Sequence, residues 1–137
     1  MAGHQRILFA TDFSEGAQYA LEQTVDFAKA FGAQVILVHA EVLHESDPVN
    51  TEEQMKSAVP VAAEEFVTER KIVRGISAEH AILHEARESG CDLIALGTHG
   101  RSGLKHVMLG SVAERVVQLS DVPVLTIRHP GHAFERP

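Results

Sequence analysis

Short apolar runs recur along the chain and predict a series of buried strands. They fall at residues 7–10, 35–38, 93–96 and 122–127. Each run is almost continuously apolar rather than alternating, which is typical of parallel strands that are covered on both faces. The long gap between the second and third runs calls for a further strand, and residues 66–74 are the best candidate. Their more polar, alternating pattern predicts a strand at an edge of the sheet.

Between these runs the apolar period changes to that of amphipathic helices. The first helical face carries Ala17, Ala20, Leu21, Thr24, Val25 and Ala28, with Ser14 placed to cap the helix and Gly32 to end it. A second face carries Ala78, Ile82 and Ala86, and Gly90 follows it. The apolar side of the last helix is predicted to hold Val112, Ala113, Val116, Val117 and Leu119.

The alternation of strand and helix predicts an α/β fold in one doubly wound domain. Residues 1–137 would form a five-stranded parallel sheet with helices on both faces, and residues 129–137 a loose tail. Residues 41–65 are interrupted by Pro48 and Pro60, so we predict a short helix over residues 51–59 and no more. Ligands of such sheets bind beyond the carboxyl ends of the strands, in the loops after Ala10, Val38, Arg74 and Leu96.

Composition narrows the class of protein. The net charge of −7 argues against a nucleic-acid or acidic-membrane partner, because phosphate surfaces are bound by basic proteins. The single cysteine, Cys91, cannot form an internal disulfide. The apolar run near the first residue is too short for a signal peptide, and no stretch approaches membrane-spanning length. These features predict a cytoplasmic protein.

One loop, GTHGRSGLKHVMLGS over residues 97–111, combines glycine with positive charge. No Asp or Glu occurs from Leu93 to Ala113. Closely spaced glycines can turn backbone N–H groups inward, and a helix that starts after Gly110 would add its own unpaired N–H groups. Arg101 and Lys105 supply full charges, so the loop is a candidate phosphate site. The alternative is a structural turn in which Ser111 and Glu114 form a capping box.

A second candidate loop, ATDFSEGA, follows the first strand. Asp12 lies where a buried strand ends, and a carboxylate there requires a hydrogen-bond or metal partner. It could bind a ribose hydroxyl, an adenine amino group or a metal-bound water. Alternatively, it stabilises the first turn of the next helix together with Ser14.

These segments together resemble the universal stress protein (UspA-like) family. The resemblance covers nearly the whole chain, through ATDFSEGA, VILVHA, DLIALGTHGRSGLKHVMLGSVAERVV and VPVLTIR in the family's order. Its most specific part is the nucleotide motif G-x2-G-x9-G-[S/T], matched with intact spacing by Gly97, Gly100, Gly110 and Ser111. Two departures lie elsewhere: a short, Pro-broken stretch between the second and third strands, and RGIS in place of an acid-proline turn.

The resemblance implies a strand order of 3-2-1-4-5 and membership of the ATP-binding branch. It would place the triphosphate against Gly97, His99, Gly100, Arg101, Gly110, Ser111 and Val112. The adenosine side would be lined by Ala10, Thr11, Asp12 and the backbone of Ala40. Mg²⁺ would arrive with the nucleotide rather than occupy a protein cage. The resemblance also implies a homodimer formed through the last strand, at residues 124–128.

The other histidines and the cysteine are weaker candidates. His80 and His84 are one helical turn apart, yet they fall opposite Ile82 on the solvent side, with no third metal ligand in view. His39, at the end of a buried strand, is interpreted as a hydrogen-bonded core residue rather than a catalyst. Cys91 is interpreted as a packing residue. We therefore predict no metal site and no catalytic triad.

The main functional hypothesis is an ATP-binding regulatory or stress-response module. Nucleotide would order the loop at residues 97–111 and change what a protein partner, whose identity is unknown, can bind. Little or no hydrolysis is expected, because neither Asp12 nor His99 has an evident activating partner in the sequence. Two alternatives stay open: a slow ATPase or adenylyl-transferring enzyme on a related fold, and an interaction dimer that is independent of nucleotide.

Overall fold

The structure is a computed structural model that describes residues 5–42, 51–98 and 110–130. Its strands are β1 (Arg6–Ala10), β2 (Gln34–Val42), β3 (Val67–Gly75), β4 (Leu93–Gly97) and β5 (Val124–Ile127). Its helices are α1 (Glu15–Phe31), α2 (Thr51–Ser57), α3 (Ala78–Glu88) and α4 (Ser111–Leu119), with a 3-10 turn at Val61–Ala63. Among the described residues, no helix is both long enough and apolar enough to cross a membrane.

The strands form one five-stranded sheet in the order β3-β2-β1-β4-β5, and every pairing is parallel. This confirms the predicted sheet and its order. Strand β1 is central: Leu8 lies opposite Ile36 of β2 on one side and Ile94 of β4 on the other. The polar, alternating segment is β3, and it lies at an edge as predicted.

Two apolar layers flank the sheet, which explains why the central strands read as continuous apolar runs. One layer packs Ile7 and Phe9 of β1 against Leu21 and Val25 of α1. The other contains Leu8 of β1 and, from α3 and α4, Ile82 and Val116. Neighbouring residues of one strand therefore bury their side chains on opposite faces, as the parallel architecture requires.

The helix ends follow the predicted sequence signals. The Ser14 hydroxyl accepts a hydrogen bond from the backbone N–H of Ala17 at 3.1 Å and caps α1. Gly32 ends that helix in the left-handed conformation, with φ of 67°, and Gly90 after α3 has φ of 66°. Glycine adopts this conformation without a Cβ penalty, so each glycine stops its helix where the sequence predicts.

Three local predictions were wrong in detail. Strand β2 runs to Val42 instead of stopping at residue 38, because its carboxyl half continues to pair with β3. Helix α2 ends at Ser57, and Pro60 begins the 3-10 turn, so the helix is shorter than predicted. Val117 and Leu119 are 45% and 49% exposed rather than buried. Helix α4 lies beside the edge strand β5, where no other described element covers these two side chains.

Gly75 marks a close contact between the end of β3 and the first turn of α3. A Cβ atom there would lie 3.1 Å from the Ala81 Cβ, 3.2 Å from the Ser77 carbonyl oxygen and 3.3 Å from the Ala81 nitrogen. Two of these neighbours are backbone atoms that cannot move aside. We expect Gly75→Ala to lower the free energy of unfolding by about 1–3 kcal/mol through overpacking, as measured by urea denaturation.

Gly16 supplies the matched control for this substitution. It lies in the first turn of α1, and a Cβ atom there would meet its nearest neighbour, the Ser14 hydroxyl oxygen, at 3.9 Å. Alanine should therefore fit, and its higher helix propensity should leave the free energy of unfolding unchanged or raise it by up to about 1 kcal/mol. Equal stability of Gly75→Ala and wild type would contradict the close contact.

Candidate functional site

A cavity of about 340 Å³ opens at the carboxyl edge of the sheet. It lies at the point where the strand order changes direction. From β1 the chain passes through α1 to β2 on one side of the sheet, whereas β4 and β5 lie on the other side of β1. Ligands of doubly wound folds bind in this crevice. The volume falls within the range of about 300–1,000 Å³ that is usual for small-molecule pockets.

The structure brings most of the predicted site residues together around this cavity. Eight of them line it: Ala10, Thr11, Asp12, Ala40, Gly97, Gly110, Ser111 and Val112. They come from four separate segments, namely the β1–α1 turn, β2, the end of β4 and the start of α4. The other three predicted residues, His99, Gly100 and Arg101, lie outside the described residues, as does Lys105.

The cavity has further lining residues that were not predicted as site residues. They are Ser14, Ala17, His39, Ala78, Ile82, Leu96, Thr98 and Ala113. Helix α3 contributes Ala78 and Ile82 from its first turns, after the RGIS segment that carries no recognised ligand motif. The sequence signal for Ala78 and Ile82 is the apolar face of their helix. Such a face predicts that the side chains are buried, but it does not show whether they lie in the core or in the wall of a pocket.

The turn between β1 and α1 is built on two local side-chain bonds. The Thr11 hydroxyl accepts the Phe13 N–H at 3.0 Å, and the Asp12 carboxylate accepts the Ser14 N–H through Oδ1, also at 3.0 Å. Such turns are characteristic of Asp and Thr at helix starts. Asp12 therefore has the structural role considered as an alternative above, and it also faces the cavity.

His39 ties this turn to strand β2. Its Nδ1 atom lies 2.8 Å from the carbonyl oxygen of Thr11, and its ring centroid lies 4.4 Å from that of Phe13. The residue is 8% exposed. The interpretation of His39 as a hydrogen-bonded core residue is confirmed, but the residue lies inside β2 rather than at its end and also lines the cavity.

The start of α4 differs from the starts of α1 and α3. Ser14 and Ser77 cap their helices with side-chain hydrogen bonds, whereas α4 is preceded by Gly110, which has no side chain to do so. Ser111 is the first helical residue and not the cap, so the alternative of a capping box between Ser111 and Glu114 does not hold. Among the described residues, no side chain caps the backbone N–H groups at this helix start, and such groups can bind an anionic ligand.

The described wall of the cavity contains little formal charge. Among its described residues, Asp12 and His39 are the titratable side chains, and none is Lys or Arg. Most of the remaining lining is alanine, leucine, isoleucine and valine, with hydroxyl groups at Thr11, Ser14, Thr98 and Ser111. This chemistry suits an apolar ring system that carries a few hydroxyl or amino groups.

The remaining candidate side chains lie away from any site. His80 and His84 are exposed on α3, and no three His, Cys, Asp or Glu residues of the described chain are grouped to hold a metal ion. Burial raises the pKa of the Cys91 thiol to about 11, and the residue packs in the layer beneath α3 and α4. Because a nucleophilic cysteine requires a lowered pKa, the interpretation of Cys91 as a packing residue is confirmed.

Solved structures share this fold. The structure of MJ0577 of Methanocaldococcus jannaschii is 31% identical, with a TM-score of 0.73, and the match covers 91% of this chain and 96% of that one. A universal stress protein in complex with cAMP has a TM-score of 0.73 at 24% identity, covering 93% and 98% of the two chains. The universal stress protein of Archaeoglobus fulgidus in complex with dAMP has a TM-score of 0.70 at 22% identity, covering 90% and 97%.

Sequence comparison leads to the same family. Universal stress protein YxiE of Bacillus subtilis is 33% identical over 145 aligned positions, which span 90% of this chain and 98% of the relative. Universal stress protein MJ0577 is 31% identical over 91% of this chain and 95% of its own length. The family model described as universal stress protein family matches residues 3–128. The chain therefore belongs to the universal stress protein family.

Proposed function

We propose that this protein is an ATP-binding universal stress protein, a regulatory module with little or no ATP hydrolysis. The observation that carries the proposal is that three segments line the same cavity. They are the β1–α1 turn, the end of β4 and the start of α4, which has no side-chain cap. Two proteins of the same fold are complexes with adenine nucleotides, cAMP and dAMP, which supports a nucleotide as the ligand class.

The nucleoside half of the ligand fits the apolar part of the cavity. In this proposal adenine lies against Ala10 and the backbone of Ala40, while Thr11 and Asp12 face the ribose or the adenine amino group. A carboxylate accepts hydrogen bonds from such hydroxyl and amino groups. One Asp12 oxygen already accepts the Ser14 N–H, so the turn holds the carboxylate in place for a ligand.

The phosphate half fits the start of α4. Gly97, Gly110, Ser111 and Val112 line the cavity there, and the backbone N–H groups of an uncapped helix start favour an anion. We propose that His99, Gly100 and Arg101 complete this side. Mg²⁺ would be held mainly by the phosphates. Among the described residues that line the cavity, Asp12 is the carboxylate that could contribute to its coordination.

Turnover is expected to be slow or absent. Hydrolysis needs a positioned and activated base next to the attacking water, and the hydrogen bonds described for Asp12 and His39 are made to the backbone of the turn. Asp12 accepts the Ser14 N–H, and the Nδ1 atom of His39 contacts Thr11.

The regulatory step, in which nucleotide orders residues 97–111 for a protein partner, stays a prediction because residues 99–109 are outside the described chain. A homodimer through residues 124–128 is part of the same proposal.

Identification of the bound molecule tests the proposal directly. Freshly purified protein would be denatured, and the released small molecules would be identified by chromatography and mass spectrometry. We expect ATP at close to one molecule per chain, or, for a preparation that loses its ligand, a melting temperature raised by several degrees on adding Mg-ATP well above its Kd.

The other results distinguish the alternatives. Released ADP or AMP, or steady production of ADP from added ATP, would favour an enzyme. An empty protein whose melting temperature ignores Mg-ATP would contradict nucleotide binding and favour the nucleotide-independent dimer. Added GTP at the same concentration serves as the control for effects of charge and ionic strength.

A further inference from the structure

We propose that His39 is a positioning residue that holds the β1–α1 turn in the conformation required for ligand binding. The proposal rests on the nucleotide site described above and assigns a role in it to a residue of β2. His39 is a core residue by its burial, but its side chain contacts Thr11 and Phe13 of the turn that forms one wall of the cavity.

The hydrogen bond to Thr11 fixes which imidazole nitrogen carries the hydrogen in the neutral ring. A backbone carbonyl oxygen only accepts hydrogen bonds, so the Nδ1 atom at 2.8 Å from it must carry the hydrogen. In the neutral ring this leaves Nε2 without a proton. The structure thus assigns the Nδ1–H tautomer to His39, whereas free histidine prefers the Nε2–H form.

The ring also supports an unfavourable backbone conformation at Phe13. Phe13 has φ of 66°, and within the described residues it is the one non-glycine residue with positive φ. A bulky residue in this region costs free energy and persists where its surroundings compensate. The His39 ring packs at 35° to the Phe13 ring, and the Thr11 hydroxyl accepts the Phe13 N–H.

These contacts join two walls of the cavity. His39 directly precedes Ala40 on β2, and Ala40 faces the cavity, as do Thr11 and Asp12 of the turn. The Thr11 N–H also donates to the Val38 carbonyl at 2.8 Å. Both backbone groups of Thr11, its N–H and its carbonyl oxygen, are therefore hydrogen-bonded to β2. Without His39 the turn gains alternative conformations, and ligand binding must then select the competent one, which weakens the apparent affinity.

Two substitutions separate the hydrogen bond from the volume of the ring. His39→Leu removes the donor and keeps an apolar side chain of intermediate size. His39→Asn keeps a donor, because its Nδ2 is the same number of bonds from the backbone as the imidazole Nδ1. By isothermal titration with Mg-ATP, we expect His39→Leu to bind about tenfold more weakly than wild type and His39→Asn to regain most of the loss.

Thr24→Val controls for destabilisation of the core. Thr24 is fully buried in α1, and its hydroxyl donates to the Ala20 carbonyl at 2.8 Å within the helix. The substitution likewise removes one buried hydrogen bond, but at a residue that does not line the cavity. We expect its Kd for Mg-ATP to stay within about twofold of wild type.

A spectroscopic measurement tests the tautomer on the wild-type protein itself, and a folded His39→Asn variant is needed only to assign the resonance. Long-range proton–nitrogen correlation spectra of 15N-labelled wild-type protein at about pH 8 distinguish the Nδ1–H and Nε2–H forms. His39→Asn identifies the resonance by its loss. We expect the Nδ1–H pattern for His39 before nucleotide is added and after it.

Several results would overturn this role. An Nε2–H pattern for His39, equal affinity of His39→Leu and wild type, or an affinity of His39→Asn as low as that of His39→Leu would each do so. In all three cases wild-type binding of Mg-ATP would leave the proposed function intact. Failure of the wild type to bind Mg-ATP would instead overturn the proposed function, and the positioning role with it.

Discussion

Gly110→Val is expected to weaken Mg-ATP binding by at least about 100-fold while the fold persists. Gly110 lines the cavity and precedes α4, where the uncapped N–H groups meet the proposed phosphates. A valine side chain would fill this space and hold the phosphates away from the helix start, which is their main source of backbone donors. Isothermal titration gives the affinity, and circular dichroism verifies the fold.

The backbone conformation of Gly110 is one that valine can also adopt, so we expect the fold to persist. Its φ of −60° and ψ of 154° lie in the extended region that L-residues adopt, so the glycine is not required by a left-handed conformation. Its N–H donates to the Thr98 carbonyl, a bond that valine retains. An affinity of Gly110→Val equal to that of wild type would place the nucleotide elsewhere.

Gln118→Val is the matched control for Gly110→Val. Gln118 is exposed on the same helix and does not line the cavity, so the substitution introduces the same β-branched side chain without entering the site. A small loss of helix stability is expected, with no change in nucleotide affinity. A comparable loss of affinity in both variants would indicate disruption of α4 rather than of the phosphate side.

Thr126→Pro is expected to convert the proposed homodimer into a monomer. Strand β5 is an edge of the sheet formed by the described residues, and the outer backbone groups of an edge strand can pair with a second copy. The exposed Val117 and Leu119 of the neighbouring helix add apolar surface on this side of the molecule. Proline removes an N–H donor, and it is tolerated at edge strands where that N–H faces outward.

The hydrogen bonds between β4 and β5 show which donors face outward. The carbonyl oxygens of Pro123 and Ile127 accept from Ile94 and Thr98, so residues 123 and 127 direct their backbone groups inward to β4. Because alternate residues of a parallel strand point to opposite sides, Thr126 directs its N–H away from β4. The substitution would therefore remove a donor from the proposed interface and preserve the sheet within each chain.

Light scattering coupled to size-exclusion chromatography at micromolar concentration measures the outcome. Wild type should elute with twice the mass of one chain, and Thr126→Pro with the mass of one chain. Thr126→Val keeps the N–H and a β-branched side chain, so it should remain a dimer. A monomeric wild type would contradict the proposed dimer, and a dimeric Thr126→Pro would place its interface away from this edge.

Much of the fold could be predicted from the sequence because its signals are local. Continuous apolar runs identify strands that are buried on both faces, and Ser14, Gly32 and Gly90 act on the helix ends next to them. Part of the candidate site could be predicted from local signals too, because Asp12 and Gly110 lie in loops that follow predicted strands. The order of the strands came from the family resemblance, not from periodicity.

Exposure at an edge could not be predicted, because it depends on what lies beyond. Val117 has a helical position that would be buried if another element covered α4 on that side. The same holds for the limits of β2, whose carboxyl half is stabilised by pairing with β3 rather than by its own pattern. In β2, pairing with β3 extends the strand beyond its own apolar pattern. In α4, no described element covers Val117, so its apolar side chain stays exposed. Tertiary contacts therefore decide both outcomes, and local propensity does not.

By itself, then, the sequence determined which segments become strands and helices and which loops carry glycine, acid and positive charge. The tertiary structure decided which side chains meet. It brought His39 to Thr11, which is 28 positions away, and placed Ala78 and Ile82 in the cavity wall. It also left the start of α4 without a side-chain cap. The physical reason is that propensities and caps act over a few residues, whereas such meetings depend on strand register and helix docking, which the whole core sets together.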